Sequence, residues 1–197
     1  MLFRSLEAKD PFTRGHSLRV ASYASCIARD MALGTELIRQ IELGGQVHDI
    51  GKIGVREEVL NKTGPLTPAE YEHIMTHPVI GWRILAPLLR DAPHALNVVR
   101  WHHERFDGRG LPDHLSKQGI PIEARIVAAA DSLDAITSDR PYRSSELTLA
   151  SALDELIRNA GSQFDPDIVE SVRRCVERGD LRLIPKPAKD LAGSLVS

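Results

Sequence analysis

Apolar residues recur along this chain at helical rather than strand spacing. From about Thr13 to Leu33, the residues Leu18, Tyr23, Ile27 and Met31 mark an approximate stripe, and Gly34 follows as a stop. A second helix is predicted from about Thr35 to Asp49, with Leu37, Ile41 and Leu43 apolar, ending at Gly51. The stretch from Lys62 to Pro68 reads as a loop. Its Thr67 caps a helix with Pro68 at the first position and Glu70 at the third, so hydroxyl and carboxylate can each satisfy a backbone amide of the other residue. Pro78 marks a break, and a helix follows to about Arg90. Pro93 opens another that reaches His103. The remaining helices are expected from Ile122 to about Thr137, from Leu147 to Ala160 and from Pro166 to Arg178. No segment alternates at period two strongly enough for a sheet. The expected fold is all-α: a single compact domain of about seven helices over residues 1–180, with residues 181–197 as a loosely ordered tail.

Between Glu104 and Pro121 the periodicity dissolves around Gly108, Gly110, Pro112 and Gly119. Irregular stretches of this length inside compact domains often carry function. Composition narrows the classes. Apolar residues make up 42% and charged residues 26% of 197 residues, as in soluble globular proteins, and aromatics only 5%, which favours helix over strand. A formal charge of −2 argues against a strongly basic surface for a nucleic-acid polymer. Cys26 and Cys175 fall in apolar helical patterns and read as buried thiols rather than a disulfide framework. No apolar run is long enough to span a membrane, and Met1 to Asp10 has no signal-peptide core, so the chain reads as cytoplasmic and free of membrane.

The polar residues inside apolar stretches carry the chemistry. His48 and Asp49 end an otherwise apolar helix, His102 and His103 follow Val98, Val99 and Trp101, and Asp131 sits among Ile126, Val127, Ala128, Ala129, Ala130, Leu133 and Ile136. An unpaired carboxylate there is costly and needs a partner. Singly, each residue has a plainer explanation: a salt bridge for the aspartate, a satisfied core position for each histidine. Together they form a nitrogen and carboxylate set suited to iron, manganese, zinc, cobalt or nickel rather than calcium. The candidates are too many for one tetrahedral zinc. They suit two octahedral ions sharing a carboxylate, which can clamp a phosphate for in-line attack.

The residues also fall into an ordered series. It runs Asp10-Pro11-Phe12-Thr13-Arg14-Gly15-His16-Ser17, then His48-Asp49-Ile50-Gly51-Lys52-Ile53-Gly54. Leu60-Asn61-Lys62, Leu66-Thr67-Pro68-Ala69-Glu70 and His77-Pro78 follow. The series ends with the run from His102 to Pro112 and the run from Ala130 to Arg143. It resembles the HD superfamily of metal-dependent phosphohydrolases and, within it, the HD-GYP subfamily of cyclic di-GMP phosphodiesterases. The match is collinear from about Lys9 to Pro166, about four fifths of the chain.

By that resemblance, His16, His48 and Asp131 hold one divalent ion and His77, His102 and His103 a second, with Asp49 bridging them. The ions would be iron or manganese. His73 and His77 share a helix face, so spacing leaves both open as ligands; the family's His-Pro step selects His77. His94 and His114 match no ligand position and read as surface residues. Lys52 resembles the lysine that contacts the scissile phosphate, and Arg140 and Arg143 resemble the cations that bind the substrate's phosphates. The implied reaction is attack of a metal-bridging hydroxide on a phosphorus of cyclic di-GMP, with the 3′-oxygen leaving as linear pGpG and further cleavage to GMP open. The alternatives are an HD phosphohydrolase acting on another cyclic dinucleotide or a nucleotide, and a catalytically weak module that binds the dinucleotide for signalling.

Two departures stand out. The motif that names the subfamily is Gly-Tyr-Pro, and here it reads Gly110-Leu111-Pro112, which keeps the turn formers and loses the tyrosine. Some members hold a third metal through a glutamate four residues before the first histidine ligand; Phe12 stands there, so two metals are expected. The resemblance leaves room for a homodimer and for a protein partner at the Gly110-Leu111-Pro112 loop. Family members usually carry a sensory or receiver domain ahead of this one. The motif here begins within ten residues of Met1, which fits either a stand-alone form or a piece of a longer protein.

Overall fold

A computed structural model describes residues 15–137 and 149–182 of the chain. Among these residues the structure is all-α, as expected, with nine α-helical segments and two short 3₁₀ turns. The helices are α1 (His16–Asp30), α2 (Thr35–Val47), α3 (Glu57–Leu60), α4 (Pro68–Ile74), α5 (His77–Leu85), α6 (Pro93–Trp101), α7 (Ile122–Thr137), α8 (Leu149–Arg158) and α9 (Pro166–Glu177).

Helix α7 is the centre. Ile126, Val127, Ala129, Ala130 and Leu133 are all buried, because α1, α2, α6, α8 and α9 pack around it. The main core adds Val20, Tyr23, Ala24 and Ile27 of α1, Ile41 of α2 and Ile168 and Val172 of α9, and reaches Leu181, which is 2% exposed. A smaller cluster of Val47, Ile50, Leu85 and Val99 ties the end of α2 to α5 and α6.

Several boundaries differ from expectation for identifiable reasons. Helix α1 stops at Asp30, where Ala32 turns to φ 54° and the Leu33 amide reaches back to the Ala28 carbonyl. Leu18, expected on the apolar stripe, is 64% exposed. Helix α5 ends at Leu85 rather than near Arg90, just ahead of Pro87, whose ring cannot sit in a helix interior. The break read at Pro78 is the two-residue turn Met75–Thr76 between α4 and α5, and Pro78 sits in the first turn of α5, where its missing N–H costs nothing. The Thr67–Glu70 capping box forms as read.

Two glycines bring the future site together. A Cβ on Gly44 would lie 2.7 Å from Val98 Cβ, so α2 and α6 approach more closely than any side chain permits. After Val47 the chain tightens into a 3₁₀ turn, Ile50–Gly54. There a Cβ on Gly51 would fall 1.9 Å from the His77 carbonyl oxygen. The backbone contact at Gly51 thus seats the end of α2 directly against the start of α5.

Candidate metal centre

Five elements deliver polar side chains to one buried point. His16 opens α1, His48 and Asp49 follow the end of α2, His77 opens α5, His102 and His103 follow α6, and Asp131 lies mid-way along α7. His48, Asp49, His77 and His102 are all buried. Two groups have ligand atoms within 4.8 Å of one another: His16, His48 and Asp49, and His77, His102 and His103.

Three histidines turn their rings back onto carbonyls in the last turn of the helix before them. The Nδ1–H of His48 donates to Gly45 O at 2.8 Å, that of His77 to Ile74 O at 2.8 Å, and that of His102 to Val98 O at 3.0 Å. A carbonyl can only accept, so each Nδ1 carries the proton. Burial holds His48 and His102 below their ordinary pKa and keeps them neutral. Their Nε2 atoms are therefore bare lone pairs. His77 Nε2 and His102 Nε2 lie 3.2 Å apart, and His48 Nε2 has no hydrogen-bond partner in a buried position. Burial, with His77 alongside, lowers His103 to about 3.

Asp49 stands between the groups. Its Oδ1 is 3.3 Å from His77 Nε2, and its Oδ2 is 3.4 Å from His48 Nε2 and 3.9 Å from His16 Nε2. Burial disfavours its charge, but Lys52 and the surrounding imidazoles hold its pKa well below the usual carboxylate range. Lys52 Nζ donates to Oδ2 at 2.6 Å. Asp131 Oδ1 is 3.2 Å from His16 Nε2 and 4.0 Å from His48 Nε2. With only protein groups around it, His16 resists charging through burial, but its hydrogen bonds to Asp131 and Asp134 raise it to about 10.

Converging imidazoles and ionised carboxylates of this kind form a donor set that suits divalent transition-metal cations. The buried His48 Nε2 without a hydrogen-bond partner, and the His77 and His102 Nε2 atoms facing each other at 3.2 Å beside Asp49, are positions a shared cation can satisfy.

Seven candidate residues therefore meet here: His16, His48, Asp49, His77, His102, His103 and Asp131, with Lys52 at the edge. The alternative to His77 is elsewhere: His73 Nε2 accepts from the Arg56 amide at an exposed position. His114 is exposed, but His94 is half-buried and donates from Nδ1 to Glu123 at 2.8 Å, so it is no simple surface residue. Phe12, Arg140 and Arg143 lie outside the described residues.

Three residues were not singled out from the sequence. Asp134 accepts from His16 Nδ1 at 2.7 Å and from Arg19 Nε at 2.6 Å. The signal was a second carboxylate one turn beyond Asp131 in the same apolar helix. Glu104, buried next to His103, accepts the amides of Asp113 at 2.6 Å and Leu115 at 3.1 Å. It folds the Gly110-Leu111-Pro112 loop back so that Leu111 N reaches His103 O at 3.2 Å. Gly110 permits this, since a Cβ there would fall 2.2 Å from Arg105 N.

An all-helical fold that buries such a cluster is the architecture of a metal-binding helical domain. The chain belongs to the HD domain family, whose model matches residues 1–168. It is 38% identical over 169 residues to a cyclic di-GMP phosphodiesterase of Thermotoga maritima, covering 84% of this chain and 45% of that protein. It is 33% identical over 171 residues to 3′3′-cGAMP-specific phosphodiesterase 3 of Vibrio cholerae, covering 87% of this chain and 37% of that protein. The chain thus spans less than half the length of these relatives. Its fold matches a solved structure of a cyclic GMP-AMP specific phosphodiesterase of V. cholerae with a TM-score of 0.66 at 21% identity, over 84% of this chain and 44% of that one. Among the described residues, no helix is long and apolar enough to cross a membrane.

Proposed function

We propose that this chain is the catalytic domain of a metal-dependent phosphodiesterase that hydrolyses cyclic di-GMP to linear pGpG, with residues 1–180 as the domain and residues 181–197 as its tail. The observation that carries the reading is the convergence of imidazole nitrogens on Asp49: His48 Nε2 is buried without a hydrogen-bond partner, His77 and His102 Nε2 face each other at 3.2 Å, and Asp49 reaches from His77 to His48. His16, His48 and Asp131 would hold one divalent ion and His77, His102 and His103 the other, and Asp49 would offer one carboxylate oxygen to each. Phe12 in place of a glutamate supports two ions rather than three. The ions are proposed, by the family resemblance, to be iron or manganese, both of which a nitrogen and carboxylate donor set accommodates. When bound, such ions supply Lewis acidity toward a phosphate and lower the pKa of water.

The chain's own groups do the rest. Asp49 orients the site from between the two groups. Lys52, already beside Asp49 Oδ2, is within reach of a phosphate there and stabilises negative charge developing on it. Arg140 and Arg143 bind the substrate's phosphates in bidentate fashion. The burial of His48, His77 and His102 keeps bulk water from those nitrogens. The relative from T. maritima supports cyclic di-GMP as substrate.

A second reading has one specific observation in its favour: the similarity to a 3′3′-cGAMP-specific phosphodiesterase. Side-by-side hydrolysis of cyclic di-GMP and 3′3′-cGAMP by anaerobically purified protein separates them. At least tenfold faster turnover of cyclic di-GMP supports the first reading, and the reverse preference supports the second. The Gly110-Leu111-Pro112 loop is the surface proposed for a protein partner, and a homodimer is proposed as the assembly.

A further inference from the structure

His16 differs from the other imidazoles in how its proton is held. His48, His77 and His102 lean on backbone carbonyls at helix ends. His16 is the first residue of α1. Its Nδ1 donates instead to Asp134 Oδ2 at 2.7 Å. Asp134 lies one turn beyond Asp131 on α7, and the two carboxylates take the two nitrogens of one ring: Asp131 Oδ1 is 3.2 Å from Nε2.

Asp134 is buried, and a buried carboxylate stays ionised only with strong partners. Arg19, one turn beyond His16 on α1 and itself buried, supplies them in a fork: Nε to Oδ1 at 2.6 Å and Nη2 to Oδ2 at 3.0 Å. Two residues one turn apart on α1 therefore lock onto two residues one turn apart on α7. The arrangement spans two helices and ends at the metal-facing nitrogen of His16. Charged backing of this kind fixes the ring tautomer and makes the free nitrogen a stronger donor than carbonyl backing does.

We propose that Asp134, clamped by Arg19, is a positioning residue that holds His16 in its Nδ1–H tautomer and so sets the metal affinity of the His16–His48–Asp131 position selectively. This rests on the metal-binding reading above. It assigns different supports to the two halves of the centre: an anionic clamp behind one, backbone carbonyls behind the other.

The test is a Mn²⁺ titration of the whole chain by calorimetry, with wild type, His16→Ala, His77→Ala and Asp134→Asn compared. The two alanine variants identify which class of site belongs to which half. Asp134→Asn is expected to weaken the class that His16→Ala removes by about 10–100-fold and leave the other within about twofold. Long-range ¹H–¹⁵N spectra of the Zn²⁺-loaded wild type should report His16 as the Nδ1–H tautomer. Should Asp134→Asn not fold, Arg19→Gln provides the readout, with a smaller weakening confined to the same class. Equal weakening of both classes, or of neither, in a folded variant overturns the positioning role while leaving the metal reading intact. A wild type that binds no Mn²⁺ overturns both.

Discussion

The Nε2 atoms of His77 and His102 face each other at 3.2 Å, each with its Nδ1 proton committed to a backbone carbonyl. A divalent cation held by both nitrogens and by Asp49 would bind the folded chain and not the unfolded one, so metal should stabilise this fold strongly. A ligand that binds only the native state at a hundred times its dissociation constant adds about 2.7 kcal/mol. For a chain of this size that is about 5–10 °C in Tm. Thermal melts with and without Mn²⁺ measure it. An unchanged Tm in the wild type, or the same shift in His77→Ala, would contradict the assignment.

Lys52 tests the division of labour at Asp49. Its ammonium lies 2.6 Å from Asp49 Oδ2, and a protonated amine has no lone pair to offer a metal. Lys52→Gln should keep the metal content of the wild type while kcat falls about 10²–10³-fold, the usual cost of losing one preorganised donor. Loss of metal in step with kcat would recast Lys52 as a support for Asp49 rather than a substrate contact.

Gly51 tests how the two halves of the centre are joined. Gly51→Ala would force a Cβ to within 1.9 Å of the His77 carbonyl and 2.5 Å of the Gly81 amide, both backbone atoms that cannot step aside. It should cost about 3 kcal/mol or more in denaturant unfolding. Gly64→Ala, with open space around the added carbon, should stay within about 0.5 kcal/mol and serves as the control. Equal stability of the two variants would show that the close approach of the Ile50–Gly54 turn and α5 is not required.

Asp30 gives a pH signature away from the site. Its carboxylate accepts from Ser171 at 2.7 Å and pairs with Arg174 and Arg178, fastening α9 to α1. Arg174 leads in lowering its pKa below the ordinary 3.8, against an opposing effect of burial. The unfolded chain therefore binds the proton first as pH falls. Asp30 stabilises the fold above about pH 4 and loses that contribution at lower pH. Asp30→Asn should lose about 1–3 kcal/mol at pH 7. The gap from wild type should shrink as unfolding is measured from pH 5 towards pH 3. A pH-independent gap would mean that the carboxylate's charge is not what matters.

The legible part of the sequence was where pattern and chemistry coincided. Helical spacing, the Thr67–Glu70 box and Pro93 and Pro166 at helix starts placed most of the fold. His48, Asp49, His102, His103 and Asp131 stood out because they interrupt apolar runs. What pattern alone could not supply was relative placement. His16 and His77 drew attention only through the ordered motif series, since neither sits in an apolar run. The 3₁₀ turn after α2 depends on a backbone contact at Gly51 with a residue far along the chain, and the four residues of α3 are too few to show a period. Asp134 and Arg19 looked like ordinary helix residues. Their meaning comes from each other, across two helices, and no local window contains both.

The most direct test of the whole account is one sample measured twice. The protein is purified without oxygen, its metal content is determined, and the same material is given cyclic di-GMP. Two metal ions per chain with conversion to pGpG are predicted, and Asp49→Ala should lose both. A wild type that carries its full metal complement yet leaves cyclic di-GMP intact, or one that cleaves it equally well when metal-free, would contradict the account.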